Sequence, residues 1–328
     1  MRVFGKWVGR VLLLLIAVGM IAWQFGPYEP VDVSVERFEP RRFGEGVQVY
    51  LESVEAGIKD LTEGVEKRVV WAGQSERRTP VSVLYIHGFS ATSEEIRPVP
   101  DRVAQALGAN LVFTRLTGHG RPGAALSEAT VRDWMADMEE GLAVARAVGD
   151  EVVVIATSTG ATLAAEAAVQ PEMVKGVRAM IFVSPNFGIN DPRAALLTMP
   201  GARYVLPLIA GSERSWEPQN DAHATFWTTR YPSAAVFPMA ALVKHAVALD
   251  YSGVDIPALF YLSPQDKVVT ADVSRSVAER WGGGAELVMV PDGAAVEPSH
   301  HVIAGDILSP GNTEATVAIM LDWLAKVE

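Results

Sequence analysis

The stretch Glu151-Val-Val-Val-Ile-Ala-Thr-Ser-Thr-Gly160 joins an apolar, β-branched run to a tight turn that has Ser158 at its apex. The run predicts a buried strand, and the small residues 161–168 behind the turn predict a helix. A serine raised between a strand and a helix is exposed and lies near backbone N–H groups, as a nucleophile requires. The turn is an A-x-S-x-G variant of the G-x-S-x-G elbow, in which Ala156 is still small enough for close packing. Alone it is weak evidence, because Ser and Gly are common turn residues.

The composition limits the kind of protein that this chain can be. Its 328 residues suffice for one large α/β domain with an insertion or for two smaller domains. Hydrophobic residues make up 49% of the chain, which excludes disorder over most of its length. The net charge is −11, and no basic stripe follows the first residues, so we expect no nucleic-acid partner. The absence of cysteine excludes disulfides, thiolate catalysis and Cys-based metal sites.

The N-terminal residues predict a membrane helix. Arg2, Lys6 and Arg10 precede an apolar run that ends at Phe25. With its flanking residues the run approaches the ~20 residues of a spanning helix, and the basic residues favour a cytoplasmic N-terminus with the remaining chain translocated. We therefore interpret residues 1–26 as a membrane anchor that holds the remaining chain on the periplasmic or other extracytoplasmic side. The alternatives are a signal peptide whose cleavage releases a secreted protein, and a buried core helix.

Beyond this helix, short apolar runs alternate with amphipathic stretches. This alternation predicts a mostly parallel sheet that is covered by helices on both faces. We interpret residues 27–79 as a tether and N-terminal extension and residues 80–328 as the main domain. Residues 187–255 break the alternation with prolines and large apolar residues, so they are either additional core or a lid insertion over the strand ends. We favour the lid, whose candidate substrate-pocket residues are Trp216, Phe226 and Trp227.

A serine hydroxyl needs a base, and a neutral imidazole is the natural base near neutral pH. The adjacent His300 and His301 near the C-terminal end are the candidates. A carboxylate must orient that base. Asp266 follows an apolar strand and lies in the turn at its end, whereas Asp292 lies in Pro-Asp-Gly, which is typical of a simple turn and makes it the fallback. None of the six histidines has the H-E-x-x-H spacing of a zinc site, and we expect neither a metal nor a cofactor.

Together these motifs resemble the α/β-hydrolase superfamily, in particular its monoglyceride-lipase and carboxylesterase branch. The resemblance covers about residues 80–328. Its motifs, in chain order, are His87-Gly-Phe-Ser90, Gly118-His-Gly120, Trp134 with Asp137, the Ser158 turn, Ser263-Pro-Gln-Asp266-Lys-Val-Val269 and Ser299-His-His-Val-Ile303. The resemblance implies an α/β-hydrolase fold with a mostly parallel central sheet, helices on both faces and a helical lid insertion, here preceded by a transmembrane helix.

The resemblance also implies roles for individual residues. Ser158, Asp266 and His301 would form a catalytic triad in the family's chain order, and His301 is preferred to His300 because two hydrophobic residues follow it. The backbone N–H groups of Phe89 and Thr159 would form the oxyanion hole.

These features predict a membrane-tethered serine hydrolase that cleaves carboxylic esters through an acyl-enzyme on Ser158. The expected partners are a small-molecule acyl ester, such as a monoacylglycerol or a lysophospholipid, and the membrane. A thioesterase, an acyltransferase or a C–C hydrolase with the same triad is an open alternative, and so is a non-catalytic binding protein on this fold.

Other polar residues have simpler interpretations. His87 is expected to brace the oxyanion loop and His119 a turn, whereas His223 and His245 lie in the proposed lid, where His223 is expected to be solvated. Glu94, Glu95 and Arg97 could line the mouth of a pocket, but an exposed charged turn is the simpler interpretation.

Overall fold

The computed structural model describes residues 2–327 and shows alternating strands and helices. The strands are β1 (Arg68–Val70), β2 (Thr79–Ile86), β3 (Asn110–Phe113), β4 (Gly149–Thr157), β5 (Val177–Val183), β6 (Glu213–Ser215), β7 (Arg230–Pro232), β8 (Ala258–Leu262) and β9 (Ala285–Met289). The helices are α1 (Arg2–Phe25), α2 (Val47–Ala56), α3 (Val99–Leu107), α4 (Gly123–Leu126), α5 (Val131–Val148), α6 (Thr159–Ala168), α7 (Ala202–Ala210), α8 (Asp221–Phe226), α9 (Val236–Val247), α10 (Ala271–Glu279) and α11 (Thr313–Leu324).

Seven strands form one sheet in the order β1-β3-β2-β4-β5-β8-β9. Neighbouring strands are parallel except β1, which runs antiparallel to β3. The order of the strands reverses between β2 and β4, and the carboxyl ends of strands at such a point form a crevice where ligands bind. The predicted mostly parallel sheet is therefore confirmed, and β4, which precedes Ser158, lies at its centre.

Alternate side chains of the central strand enter two different cores. Val152 and Val154 of β4 join a cluster with α5, α6, α9 and α10, whereas Val153 and Ile155 join a cluster with α3 and α11. All four valine and isoleucine side chains are fully buried. Successive strand residues point to opposite faces, so a continuous apolar run is what a sheet covered on both sides requires. Burial of each such side chain contributes roughly 1.5–3 kcal/mol.

Residues 27–79 pack against the domain over much of their length. Phe38 is buried, and its N–H donates to Glu139 Oε1 at 3.0 Å. Glu55 of α2 pairs with Arg115 through two contacts of 2.8 Å, and both side chains are almost fully buried. The extension is thus an integral part of the fold rather than a loose tether.

Residues 187–255 comprise an outer part and a core helix. The outer part carries α7, α8 and a two-stranded antiparallel sheet of β6 and β7, so it is not purely helical. It contacts loops at the carboxyl ends of the strands: the Thr228 N–H donates to the Ser90 carbonyl at 2.7 Å, and Asn190 Nδ2 donates to the Asp266 carbonyl at 2.8 Å. In contrast, α9 lies in the core, where Leu242 is fully buried.

The N-terminal helix α1 contains a stretch, Lys6–Phe25, that is long and apolar enough to cross a membrane, and none of that stretch is buried. A signal sequence near the N-terminus meets the same criteria of length and composition as a membrane span. The residues after it contact the insertion: the Gly201 N–H donates to the Pro27 carbonyl at 2.8 Å, and Arg203 Nε donates to Glu29 Oε2 at 2.7 Å. The apolar helix α7, which follows Gly201, therefore lies close to the end of α1.

Candidate active site

Ser158 occupies the turn between β4 and α6 with a positive φ of 51° and a ψ of −118°. Its N–H donates to the Val183 carbonyl at 3.0 Å, and its carbonyl accepts the N–H groups of Ala161 and Asn186. Such a conformation costs about 1–3 kcal/mol and persists where surrounding bonds enforce it. The predicted sharp turn with a serine at its apex is therefore present.

Two glycines allow the loop after β2 to lie directly against this turn. A Cβ on Gly160 would stand 2.5 Å from the Ile86 carbonyl oxygen and 2.6 Å from that of His87. A Cβ on Gly88 would stand 3.0 Å from the Cβ of Ser158. Because no larger residue fits at either position, the loop that carries Phe89 and the turn that carries Ser158 are held in contact.

The structure brings Ser158, His301 and Asp266 together from three distant parts of the chain. His301 Nε2 lies 3.0 Å from Ser158 Oγ, and His301 Nδ1 lies 2.8 Å from Asp266 Oδ2. All three residues are buried. The two alternatives lie elsewhere, since the His300 ring is directed to Ser263 and Asp292 is exposed in a turn.

Electrostatics favour a protonated His301 in this arrangement. Burial opposes the charge on the imidazole, but the charge and hydrogen bond of Asp266 outweigh burial and raise the pKa of His301 above its ordinary value. Glu95 and Glu297 add to the increase in this pKa. A base whose protonated form is stabilised can take a proton from Ser158 and hold it for a leaving group.

A buried carboxylate that the sequence analysis did not single out fixes the loop before His301. Glu297 accepts the N–H groups of Ser299, His301 and Val302 at 2.7, 2.8 and 3.2 Å. Burial raises the pKa of Glu297, but a hydrogen bond from the Ser299 hydroxyl and these N–H groups outweigh burial and lower the pKa below its ordinary value. A charged residue in a polar loop carries no sequence signal for such a role.

The two proposed oxyanion donors are available for a ligand. Neither the Phe89 N–H nor the Thr159 N–H donates to another group within residues 2–327. His87 stabilises the adjoining loop, because its Nε2 accepts the Leu116 N–H at 3.1 Å and its Nδ1 lies 2.9 Å from the Gly88 carbonyl. Burial lowers the pKa of His87 to about 4, so this ring stays neutral and bridges the two loops.

The motif of Trp134 and Asp137 stabilises a second loop next to the site. Trp134 Nε1 donates to the Thr117 carbonyl at 3.0 Å, and Asp137 Oδ2 accepts the Thr117 N–H at 2.6 Å. The ring of His119 from this loop lies 5.7 Å from that of Phe89, edge to face. Trp134 and Asp137 of α5 thus support the loop whose His119 ring packs on Phe89.

The segment of residues 90–97 differs from the expected exposed charged turn. Ser90, Thr92 and Glu95 are buried, and Glu94 and Arg97 are partly buried and paired with each other at 2.8 Å. Glu95 is buried beside Ser158, so its interpretation as a surface charge was wrong. A charged residue in a polar segment gives no sequence signal of burial.

The predicted pocket residues do not lie together beside Ser158. Phe226 and Trp227 line a cavity of about 470 Å³ together with Thr92, and Ser158 is not among its lining residues. Trp216 packs instead on the ring of His223, with ring centres 4.8 Å apart. His223 is itself buried rather than solvated, because it lies between Trp216 and Trp227.

The described part of the chain offers no cluster of side chains suited to bind a metal ion. No group of three or more His, Asp or Glu side chains that could hold a metal ion occurs among residues 2–327. The remaining histidine, His245, pairs with Glu166 at 2.9 Å between α9 and α6.

Three comparisons with known proteins all find similarity to hydrolases. The chain matches the model of the alpha/beta hydrolase family over residues 83–305. A thermostable monoacylglycerol lipase from Bacillus sp. (strain H-257) is 28% identical over 190 residues, which are 58% of this chain and 72% of that protein. Two solved structures are similar in fold. A metagenome-derived lipolytic enzyme, described with the pair LipS and LipT, has a TM-score of 0.65 at 21% identity, covering 81% of this chain and 99% of its own. A soluble variant of monoglyceride lipase from Saccharomyces cerevisiae has a TM-score of 0.56 at 16% identity, and the match covers 80% of this chain and 91% of that protein.

Proposed function

The chain belongs to the alpha/beta hydrolase family, and on that premise we propose that it is a serine hydrolase that cleaves carboxylic esters through an acyl-enzyme on Ser158. The observation that carries this proposal is the continuous hydrogen-bonded line from Ser158 Oγ through His301 to Asp266, with contacts of 3.0 and 2.8 Å. A protein that only bound ligands would have no need of a buried base that is directed at a strained serine.

The proposed reaction begins with proton transfer from Ser158 to His301. Ser158 Oγ attacks the ester carbonyl carbon while His301 Nε2 takes its proton, and Asp266 stabilises the resulting imidazolium. The negative charge on the former carbonyl oxygen is stabilised by the N–H groups of Phe89 and Thr159.

Three further proton transfers complete the cycle. His301 gives its proton to the leaving alcohol oxygen as the tetrahedral intermediate collapses, which leaves the acyl group on Ser158. A water molecule, deprotonated by His301, attacks this acyl-enzyme, and the second intermediate releases the carboxylic acid. The proton returns from His301 to Ser158 Oγ, so atoms and charges balance over the cycle.

We propose apolar acyl esters, such as monoacylglycerols or lysophospholipids, as the substrate class. The Bacillus relative is named a monoacylglycerol lipase, and 72% of its length is matched. The insertion supports the same choice, because α7 presents Leu208 and Ile209 with 86% and 77% of their surface exposed. An exposed apolar helix beside the end of α1 suits a protein whose substrate partitions into lipid.

We also propose that α1 anchors the protein in a membrane, with the remaining chain on the extracytoplasmic side. The stretch Lys6–Phe25 meets the length and hydropathy of a membrane span, and basic residues precede its apolar part. The contacts of Pro27 and Glu29 with the insertion would then hold α7 at the membrane surface.

Fluorophosphonate labelling of the detergent-solubilised full chain tests the proposed nucleophile. Wild type should be labelled and Ser158→Ala should not. Ser184→Ala is the matched control, because Ser184 is also buried, follows a strand and has a positive φ of 45°. A series of monoacylglycerols and p-nitrophenyl esters of rising chain length then defines the substrate. Turnover of acetyl esters alone would contradict the apolar substrate, and label retained in Ser158→Ala would contradict the mechanism.

A further inference from the structure

A second carboxyl group, that of Glu95, is buried beside the proposed nucleophile. The residue is 2% exposed. Its Oε2 accepts the Gly88 N–H at 2.7 Å and the Tyr85 hydroxyl at 3.1 Å. Tyr85 is itself fully buried, and its hydroxyl also lies 3.2 Å from Thr157 Oγ1. Both donors thus bind the same oxygen, and they place the carboxyl group between the end of β2 and the end of β4.

The other oxygen of Glu95 is directed at the space next to Ser158. A Cβ on Gly88 would stand 2.8 Å from Glu95 Oε1 and 3.0 Å from Ser158 Cβ, so the two groups border the same small space. Oε1 forms no hydrogen bond with any residue in the range 2–327. Oε1 is not among the fully enclosed unpaired side-chain atoms of residues 2–327, so it keeps some accessible surface.

No lysine or arginine in the described chain forms an ion pair with Glu95. The nearby cations pair instead with its neighbour Glu94, which Arg68 of β1 and Arg97 of its own segment contact at 3.1 and 2.8 Å. The titratable groups that act on Glu95 are His301 from the C-terminal loop and Tyr85 from β2, whereas Glu94 acts on Tyr85. His301 is therefore the group whose positive charge Glu95 can support.

The pKa values follow from this placement. Burial raises the pKa of Glu95 to about 7, although the Gly88 N–H, the charge of His301 and the Tyr85 hydroxyl act in the opposite direction. Reciprocally, the charge of Glu95 contributes to the raised pKa of His301, after burial and the larger contribution of Asp266. The two groups thus interact across the site that holds Ser158.

We propose that Glu95 is a positioning residue of the ester-hydrolysis site, with two linked roles. Through Gly88 it fixes the loop that directs the Phe89 N–H at the oxyanion, and through its charge it stabilises the protonated His301 that forms when Ser158 is acylated. This inference rests on the proposed function. It differs from the triad in that Glu95 touches neither His301 nor the reacting oxygen and acts through its neighbours.

The substitution Glu95→Gln separates the two roles. A glutamine carbonyl oxygen can still accept from Gly88 and Tyr85, so the loop is retained, but the negative charge is lost. The pKa of His301 should then fall, so that the base becomes available at lower pH. We expect the acidic limb of the kcat/KM profile to move down by roughly 0.5–1 pH unit. Glu95→Ala, which also loses the Gly88 contact, should lower kcat by about 10².

Glu94→Gln is the matched control, since it removes the adjacent charge without touching Gly88, and its profile should coincide with that of wild type. NMR titration of the His301 ring in Glu95→Gln gives a readout that does not depend on turnover. The proposal would be overturned if, in Glu95→Gln, neither the midpoint of the acidic limb of kcat/KM nor the pKa of His301 measured by NMR changed, even if Glu95→Ala were slow. Failure of wild type to react with fluorophosphonate at Ser158 would instead reject the proposed function, so the two failures are distinguishable.

Discussion

Asp266 divides its two carboxylate oxygens between His301 and its own loop. Oδ2 lies 2.8 Å from Nδ1 of His301, whereas Oδ1 accepts the N–H groups of Val268 and Val269 at 2.7 and 2.8 Å. Because two donors hold Oδ1, the carboxylate cannot rotate. Oδ2 therefore keeps the ring proton of His301 on Nδ1, which leaves Nε2 free to accept from Ser158.

This geometry predicts the effect of Asp266→Asn. The amide oxygen should take the place of Oδ1, because the loop N–H groups need an acceptor, so the amide NH₂ would face His301 Nδ1. The ring would then carry its proton on Nε2 and could not accept from Ser158. We expect kcat to fall by about 10⁴ with KM little changed, as measured by steady-state kinetics on a p-nitrophenyl ester. The control Asp292→Asn, in the exposed turn, should behave as wild type, and an equal loss in both variants would contradict the assignment.

The raised pKa of His301 predicts the pH dependence of the reaction. His301 must be neutral to act as a base, so kcat/KM should rise with pH through the pKa of this ring. Because Asp266 raises that pKa despite burial, the midpoint of the limb should lie above the ordinary value of about 6.5. The measurement is kcat/KM as a function of pH between about 5 and 9. A midpoint below that ordinary value would be inconsistent with the Asp266–His301 pair.

Gly160→Ala should impair the oxyanion site. The new methyl group would meet the carbonyl oxygens of Ile86 and His87, which belong to the backbone and can move only with the loop that carries Phe89. We expect a loss of at least about 10² in kcat and a destabilisation of about 1–3 kcal/mol.

Gly57→Ala provides the control for this substitution. Gly57 has a negative φ of −82°, and a Cβ there would meet nothing within 4 Å. Its kinetics and urea midpoint should match those of wild type. If Gly160→Ala also matched wild type, the close packing of the elbow on the loop would not be needed for activity.

The buried pair of Glu55 and Arg115 predicts that the extension contributes to stability. Glu55→Gln leaves the guanidinium without its partner charge and should cost about 3–5 kcal/mol in the free energy of unfolding. Glu213→Gln removes one member of an exposed pair with Arg230 and should cost at most about 1 kcal/mol. Urea unfolding of both variants compares them directly. Equal costs would mean that the N-terminal extension packs more loosely than the structure shows.

A charge on α7 should weaken hydrolysis at a membrane. Leu208→Glu places a carboxylate on the exposed apolar surface beside the end of α1, where burial in lipid would be unfavourable. Hydrolysis of a monoacylglycerol in vesicles should fall several-fold, while a water-soluble short ester should be cleaved as before. Val49→Glu on α2 is the control, since Val49 is also apolar and exposed. A parallel loss on both substrates would indicate damage to the site rather than to membrane contact.

Local patterns predicted most of the sheet and the residues at its edge. The apolar run of β4 can be recognised because a strand buried on both faces needs an apolar residue at every position. Ser158 and Gly160 can be recognised because a tight strand-to-helix turn tolerates few residue types. The buried carboxylates Glu95 and Glu297 could not be predicted, since burial of a charge depends on partners that come from other segments.

The sequence by itself determined the order of strands and helices, the apolar N-terminal helix and the turn at Ser158, because each depends on residues that are close in the chain. Only the tertiary structure decided which histidine reaches Ser158, since the two residues are 143 positions apart in the chain and the sheet, not a local pattern, brings them together. It likewise decided that Trp216 and His223 pack on each other in the insertion, because packing there depends on side-chain shape and not on periodicity.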